Sequence, residues 1–314
     1  MRKIIALVLA LILIPCMALA DLTVYFLDIG QGDCAVIECD GEAMIIDGGL
    51  PGKSDHVYSF LKKHPEINRF LYMVATHPDN DHIGGLPGAL RAAKDLKKPF
   101  KYIYSPVQEY ESIRFWDLKK MADEQRIKIK TPYDDQEFEL GGATVRFYNC
   151  GREKKNLMRR TIDWFKEWFN RDDPEEDQEN NNMSLVVKIT YGETSFLFTG
   201  DIEVDAESSL IKSSYDLHAD VLKVPHHGSA RSSSQAFLEK VSPKYAVISC
   251  GAGNKYKHPD QEALDDLRRL NSGIKLYRTD LQGMITVKSD GHTITFNTER
   301  KAQSDLFTAP KREQ

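Results

Sequence analysis

Short apolar runs recur along the chain, and many of them stop at glycine, aspartate or histidine. Val24–Leu27, Ala35–Glu38 and Ala43–Ile46 have strand length and composition, with the turn Gly30-Gln31-Gly32-Asp33 between the first two. At His56–Lys63 the period changes, because Val57, Phe60 and Leu61 fall on one helical face. Phe70–Ala75 predicts a strand, Gly85–Leu96 a helix, Ile103–Ser105 a strand and Ile113–Glu124 a helix, with strands near Ile127 and Val145. Ser184–Tyr191 and Ser195–Thr199 predict a hairpin around Gly192. Helices over Val204–Ser213, Gln235–Val241 and Gln261–Leu270 then alternate with strands at Val221–Pro225, Tyr245–Ser249 and Ile274–Tyr277. Met284–Lys288 and Thr293–Phe296 close the pattern as strands. Alternating strands and helices with hairpins mixed in suit sheets sandwiched between helices.

Two segments break this rhythm. In residues 1–20, Arg2 and Lys3 precede an apolar run from Ile4 to Ile14, and Ala18-Leu19-Ala20 ends it. That order predicts a secretory signal peptide cut near Ala20, so the expected location is outside the cytoplasm. No other stretch is apolar for long enough to span a bilayer, so no stable membrane insertion is expected after cleavage. Residues 151–182 read as an insertion or flap, with Trp164, Phe165, Trp168 and Phe169 at helical spacing and an acidic run at Asp172–Asp177. The main domain is expected over residues 21–300, followed by a tail at 301–314.

Composition adds two constraints. The formal net charge of -5 provides no global basic field, so a nucleic-acid substrate would need a local patch or metal ions. Cys34, Cys39, Cys150 and Cys250 follow the signal segment, and export permits disulfides without choosing a pairing. Cys34 and Cys39 lie in a strand-like stretch and face opposite sides, so they are poor partners.

The chemistry concentrates where apolar strands end. Thr76-His77-Pro78-Asp79-Asn80-Asp81-His82 offers four metal-capable side chains directly after a strand. Imidazole and carboxylate together suit zinc, manganese or iron better than magnesium or calcium. Phe198-Thr199-Gly200-Asp201 and Val224-Pro225-His226-His227-Gly228-Ser229 end two further strands. Each cluster alone reads as a turn; three together predict one metal site at strand ends.

In combination these blocks resemble the metallo-β-lactamase-fold hydrolases, and most of all the hydrolase domain of ComEC-like DNA-uptake proteins. The blocks run in family order: Phe26–Asp33, Ile46-Asp47-Gly48-Gly49, Thr76–Gly85, Asn182–Val187, Leu197–Asp201, Pro225–Ser229 and Lys257-His258-Pro259. The resemblance implies a four-layer αββα sandwich with one or two divalent ions, zinc or manganese. It places one ion on Asp81, His82, Asp201 and a histidine of the 226–227 pair, put at His227. The other falls on His77, Asp79 and a bridging Asp201. Asp47, Asn182 and Ser184 are expected to support these ligands. Two departures make the His77 site oxygen-rich: Asp79 stands where two-zinc relatives have histidine, and Asn180–Ser184 replaces a further histidine motif.

The implied chemistry is hydrolysis by a metal-bound hydroxide, with Asp81 in the site and His226 or His258 protonating the leaving oxygen. Backbone N–H groups at Gly228-Ser229, read as a helix start, could hold an anion. A secreted phosphodiesterase or nuclease acting on DNA or another phosphodiester is the leading expectation. The alternatives are hydrolysis of a phosphocholine ester, thioester or lactam, and a non-catalytic binding module. His56, His64, His218 and His292 match no block and read as surface or structural residues.

Overall fold

The computed structural model describes residues 21–150 and 180–310. The expected signal peptide and most of the expected flap, Trp164 and Trp168 included, lie outside those residues. In chain order the strands are β1 (Leu22–Phe26), β2 (Ala35–Cys39), β3 (Glu42–Ile46), β4 (Arg69–Val74), β5 (Tyr102–Tyr104) and β6 (Lys128–Lys130). They continue as β7 (Glu137–Leu140), β8 (Ala143–Tyr148), β9 (Val186–Tyr191), β10 (Thr194–Phe198), β11 (Val221–Lys223), β12 (Tyr245–Ile248), β13 (Lys275–Arg278), β14 (Ile285–Ser289) and β15 (Ile294–Thr298). The helices are α1 (Ser54–Lys62), α2 (Asn80–Ile83), α3 (Leu86–Asp95), α4 (Ile113–Glu124), α5 (Val204–Lys212), α6 (Gln235–Val241), α7 (Gln261–Leu270) and α8 (Thr279–Gln282).

One sheet has the order β15-β14-β1-β2-β3-β4-β5-β6, and the other β13-β12-β11-β10-β9-β8-β7. Each is antiparallel in one part and parallel in the other: β3 to β6 run parallel, as do β10 to β13. Strand periodicity sorts the side chains. Leu22, Val24 and Phe26 of β1 enter the core between the sheets, whereas Tyr25 packs toward the outer face. Phe26 stacks on Phe198 across the sheets at 5.7 Å between ring centroids. Truncating either ring would cost about 3–5 kcal/mol. A second core lies over α1, α3 and α4, with Val57, Phe60, Leu61, Ala89, Leu90, Phe115 and Leu118. A third lies over α5 to α7, with Leu210, Phe237, Leu238, Leu264 and Leu267. These cores separate four layers, the αββα sandwich expected from the sequence.

Helix ends follow local chemistry. The Ser112 hydroxyl accepts from the Phe115 N–H to start α4, and Ser234 accepts from Phe237 to start α6. The tail does not hang free over its described part. Buried Arg278 donates to the carbonyls of Leu306 at 2.9 Å and Thr308 at 2.7 Å, tying residues 306–308 to the end of β13. Cys34, just before β2, and Cys39, at its end, do face into different cores, and all four described cysteines are free thiols.

Candidate metal centre

The parallel strands of both sheets end at one place. Asp47 follows β3, Thr76-His77 follows β4, Asp201 follows β10, and His226-His227 follows β11. Backbone conformation aims them. Asp47 takes φ 58, His226 φ 48 and His227 φ 53, left-handed positions that cost a side-chain-bearing residue about 1–3 kcal/mol each. Gly200 before Asp201 has φ +52, and a Cβ there would lie 2.9 Å from Ser184 and 3.0 Å from Thr76. No helix starts at Gly228-Ser229, contrary to the sequence reading. Pro225–Gly228 is a kinked 3-10 turn, Ser229 is extended, and α6 begins only at Gln235. The anion site inferred from a helix start therefore loses its basis.

Three imidazoles converge with their Nε2 atoms inward. His82 Nε2 lies 3.2 Å from Asp201 Oδ2, and His227 Nε2 lies 3.2 Å from the same oxygen and 3.4 Å from Asp81 Oδ2. His77, His82 and Asp201 present ligand atoms within 4.8 Å of one another, and so do Asp81, His82 and His227. The opposite ring nitrogens are engaged. His82 Nδ1 lies 2.8 Å from Asp47 Oδ2, and His227 Nδ1 2.8 Å from the Ser249 carbonyl. His77 Nδ1 lies 3.2 Å from the hydroxyls of Thr76 and Ser184. Yet His77 Nε2, His82 Nε2, His227 Nε2 and Asp201 Oδ1 are buried without a hydrogen-bond partner. Buried polar atoms left bare are costly. Histidines anchored through one nitrogen with the other aimed at a common point are the arrangement a divalent ion needs. The donor set therefore fits a metal.

The electrostatics agree. Burial pushes the Asp201 carboxyl up, but the charges of His227, His82 and His226 outweigh it and hold the group well below the usual carboxylate range. Burial likewise opposes ionisation of Asp81, which the neighbouring imidazoles of His227 and His82 overcome. Burial lowers the basicity of His82 and His227. The charges of Asp201 and Asp47 on the first, and of Asp201 and Asp33 on the second, push both well above the ordinary imidazole value. A pocket that retains protons on buried imidazoles is one in which positive charge is wanted.

The other sequence-predicted residues divide. His226 approaches Asp201 Oδ2 at 3.9 Å through Nε2, farther than His227 does. Of the pair, it is therefore His227 that lies within the cluster. Asp79 sits at the rim, 27% exposed, with Oδ2 3.7 Å from His77 Nε2. The Ser184 hydroxyl accepts from the Asp201 N–H at 3.1 Å. Asn182 does something else. Its side-chain oxygen accepts from the Glu203 and Ala206 N–H groups, each at 3.1 Å, and so caps the entry to α5 rather than steadying the cluster. His258 lies beside His226, with 5.6 Å between ring centroids. Burial first, then the charges of His226 and His227, push its pKa down to about 4, which leaves it neutral near pH 7 and a poor proton donor. His64 pairs with Glu66 and His292 with Glu193, while His56 and His218 are exposed, so all four lie apart from the cluster.

Three contributors escaped the sequence reading. Asp33, after the Gly30-Gln31-Gly32 turn, lies 3.2 Å from His227 Nδ1 and pairs with buried Lys223. Lys223 Nζ is also 4.0 Å from Asp201 Oδ1. Glu203, buried, approaches His226 Nδ1 at 3.3 Å and is held by Arg231 at 3.0 Å and by the Asn181 amide at 2.9 Å. The sequence signals were a lysine inside an apolar strand and carboxylates just past two glycine turns.

Known proteins give the same picture. A family model described as "Metallo-beta-lactamase superfamily" matches residues 27–149 and 181–252. The chain is similar to "ComE operon protein 3" of Bacillus subtilis, 27% identical over 91% of this chain and 35% of that protein. It is also similar to "Competence protein ComA" of Neisseria gonorrhoeae, 29% identical over 82% of this chain and 31% of that protein. The chain thus spans about a third of the length of these relatives. Among solved structures, the metallo-beta-lactamase fold protein YhfI from Bacillus subtilis matches with a TM-score of 0.53 at 12% identity, covering 85% of this chain and all of that one.

Proposed function

Since this chain belongs to the metallo-beta-lactamase superfamily, we propose that it is a metal-dependent hydrolase of phosphodiester bonds, with DNA as the substrate class. The observation that carries the metal dependence is the set of bare, inward-facing Nε2 atoms of His77, His82 and His227 around Asp201. The substrate class is supported by similarity to a "Competence protein ComA" and a "Recombination protein 2". Export directed by residues 1–20 belongs to the same proposal. The N-terminal residue of protein recovered from outside the cytoplasm tests it.

Asp81, His82 and His227 with Asp201 would hold one divalent ion, and a second would fall to His77 with Asp79 and Asp201; nitrogen and oxygen donors suit zinc or manganese. When bound, such an ion supplies Lewis acidity and acidifies water. The protein's own groups do the rest. Asp47, Thr76, Ser184 and Ser249 fix the ring orientations. Asp33 and Lys223 sit behind His227 and Asp201 as a buried ion pair. His226, turned by Glu203 at Nδ1, keeps Nε2 facing the cluster and delivers a proton to the departing oxygen. His258, neutral, packs the far side of that ring. The test is hydrolysis of bis-p-nitrophenyl phosphate with and without chelator. The proposal expects turnover that a chelator stops and added zinc or manganese restores; absence of turnover in the metal-loaded protein counts against it.

A further inference from the structure

The loop Gly251–Asp260 between β12 and α7 carries Lys255-Tyr256-Lys257 beside the metal centre. The loop is fixed internally. The Asn254 amide donates to the carbonyls of Gly251 at 2.8 Å and His258 at 2.7 Å, and its oxygen accepts from the His258 N–H at 3.0 Å. The Lys257 N–H donates to the Asn254 carbonyl at 3.1 Å, and the Gly251 N–H donates to Gln31 Oε1 at 3.2 Å. Four of these bonds lie within the loop and the fifth pins it to the β1–β2 turn, so its shape is set before a substrate arrives.

On this frame Tyr256 is 52% exposed, a large ring that folding has left in water. Its inner face is nearly parallel to His258, with 5.8 Å between centroids and 11° between planes. His258 meets His226 edge-on, and His226 Nε2 is 3.9 Å from Asp201 Oδ2. A series of aromatic rings thus runs from the cluster to solvent and ends in Tyr256. Lys255 Nζ lies over the tyrosine ring, 4.7 Å from its centroid, and Lys257, the next residue in the chain, is exposed. An exposed aromatic ring with ammonium-bearing neighbours matches a nucleotide, whose base stacks while its phosphates meet the lysines. A base inside a duplex offers no free face, so the match is to a single strand.

We propose that Tyr256, flanked by Lys255 and Lys257, is a stacking subsite for a base next to the scissile phosphodiester of single-stranded nucleic acid. This rests on the phosphodiester reading above and adds the element that selects nucleic acid over simple esters. His258 and the Asn254 bonds already hold the ring, and an incoming base would take the place of the Lys255 ammonium over it. One base on one aromatic ring is expected to bring about ten-fold in affinity, which is about 1.4 kcal/mol.

The experiment is equilibrium binding of fluorescent oligothymidylate, phosphorothioate-linked to resist cleavage, to the metal-loaded protein. An abasic strand of the same length and linkage is the comparison. Wild type is expected to bind the base-containing strand about ten-fold tighter than the abasic one. Tyr256→Ala should erase that preference and Tyr256→Phe keep it, with unchanged circular dichroism in both. Replacing both lysines by glutamine should reduce the salt dependence of log K by about 0.7 per charge. Equal binding of the two strands by wild type, no binding of either, or an undiminished preference in Tyr256→Ala overturns the subsite. Turnover of bis-p-nitrophenyl phosphate by the wild type is read separately and decides the phosphodiester reading, so the two failures are told apart.

Discussion

Asp47 Oδ2 lies 2.8 Å from Nδ1 of His82, and both side chains are fully buried. The same carboxylate accepts from the Thr76 N–H at 2.8 Å and the Thr76 hydroxyl at 2.7 Å. One residue at the end of β3 therefore fixes the ring of a predicted ligand and the start of the loop that carries His77 to His82. Asp47→Ala should lower metal affinity about 10- to 100-fold, since the histidine loses the partner that orients it. Competition titration with a chromophoric chelator measures this. Affinity equal to wild type would mean that His82 is positioned by other contacts.

Asp33 and Lys223 form an ion pair in which both side chains are at least nine-tenths buried. Lys223→Met alone leaves the buried Asp33 carboxylate facing only His227 and should cost about 3–5 kcal/mol of stability. The double variant Asp33→Leu/Lys223→Met should cost less than the single one. Urea unfolding of metal-free proteins provides the comparison. A double variant weaker than either single variant would show that the pair stabilises the fold beyond mutual neutralisation.

Protonation and metal binding compete at His82 and His227, whose pKa values are raised well above the ordinary 6.5. Binding zinc at pH 7 should therefore release about two protons, seen as acidification of a weakly buffered dye solution. The sign of the stability effect follows. In the metal-free protein the stability contributed by these raised imidazoles is complete below 6.5 and fades as pH climbs through their folded values. Asp81 and Asp201, depressed below 3.8, contribute above that value and lose their contribution as pH falls through their folded values. Metal-free stability should therefore peak between the two windows. No proton release on zinc binding would contradict the charge states described for the cluster.

The sequence made most of the framework legible, because apolar runs and their periods survive tertiary context. Helices at Ile113–Glu124, Gln235–Val241 and Gln261–Leu270 match residue for residue, and most strand ends differ by a residue or two. β7 escaped because Glu137-Phe138-Glu139-Leu140 is short and half acidic, an edge strand whose outward face meets water. The short α2 and α8 escaped because four residues carry no helical period. At the candidate metal centre, the cluster of His77, Asp81, His82, Asp201 and His227 was legible as strand-end motifs. The choice between His226 and His227 was not, since two left-handed residues in succession decide it and composition does not encode them. Asp33, Lys223 and Glu203 act through contacts between distant segments, and Asn182 resembled a site residue only by its place in a motif.

Cys34, Cys39, Cys150 and Cys250 are buried, and burial is the leading cause that pushes each thiol up, Cys39 to about 11. These thiols should be inert to a disulfide reagent in the native protein and all react in guanidinium chloride. Rapid native labelling at any of the four would place that cysteine at a surface that the fold does not give it.

The central claim is that one cluster around Asp201 holds the metal on which hydrolysis depends. Its most direct test is metal content measured on the same purified samples as bis-p-nitrophenyl phosphate turnover, for wild type, His77→Ala and Asp201→Ala. The account predicts one or two ions per chain and turnover in wild type. His77→Ala should keep the ion held by Asp81, His82 and His227, and Asp201→Ala should lose both metal and activity. Asp201→Ala with full metal content and full turnover would contradict it.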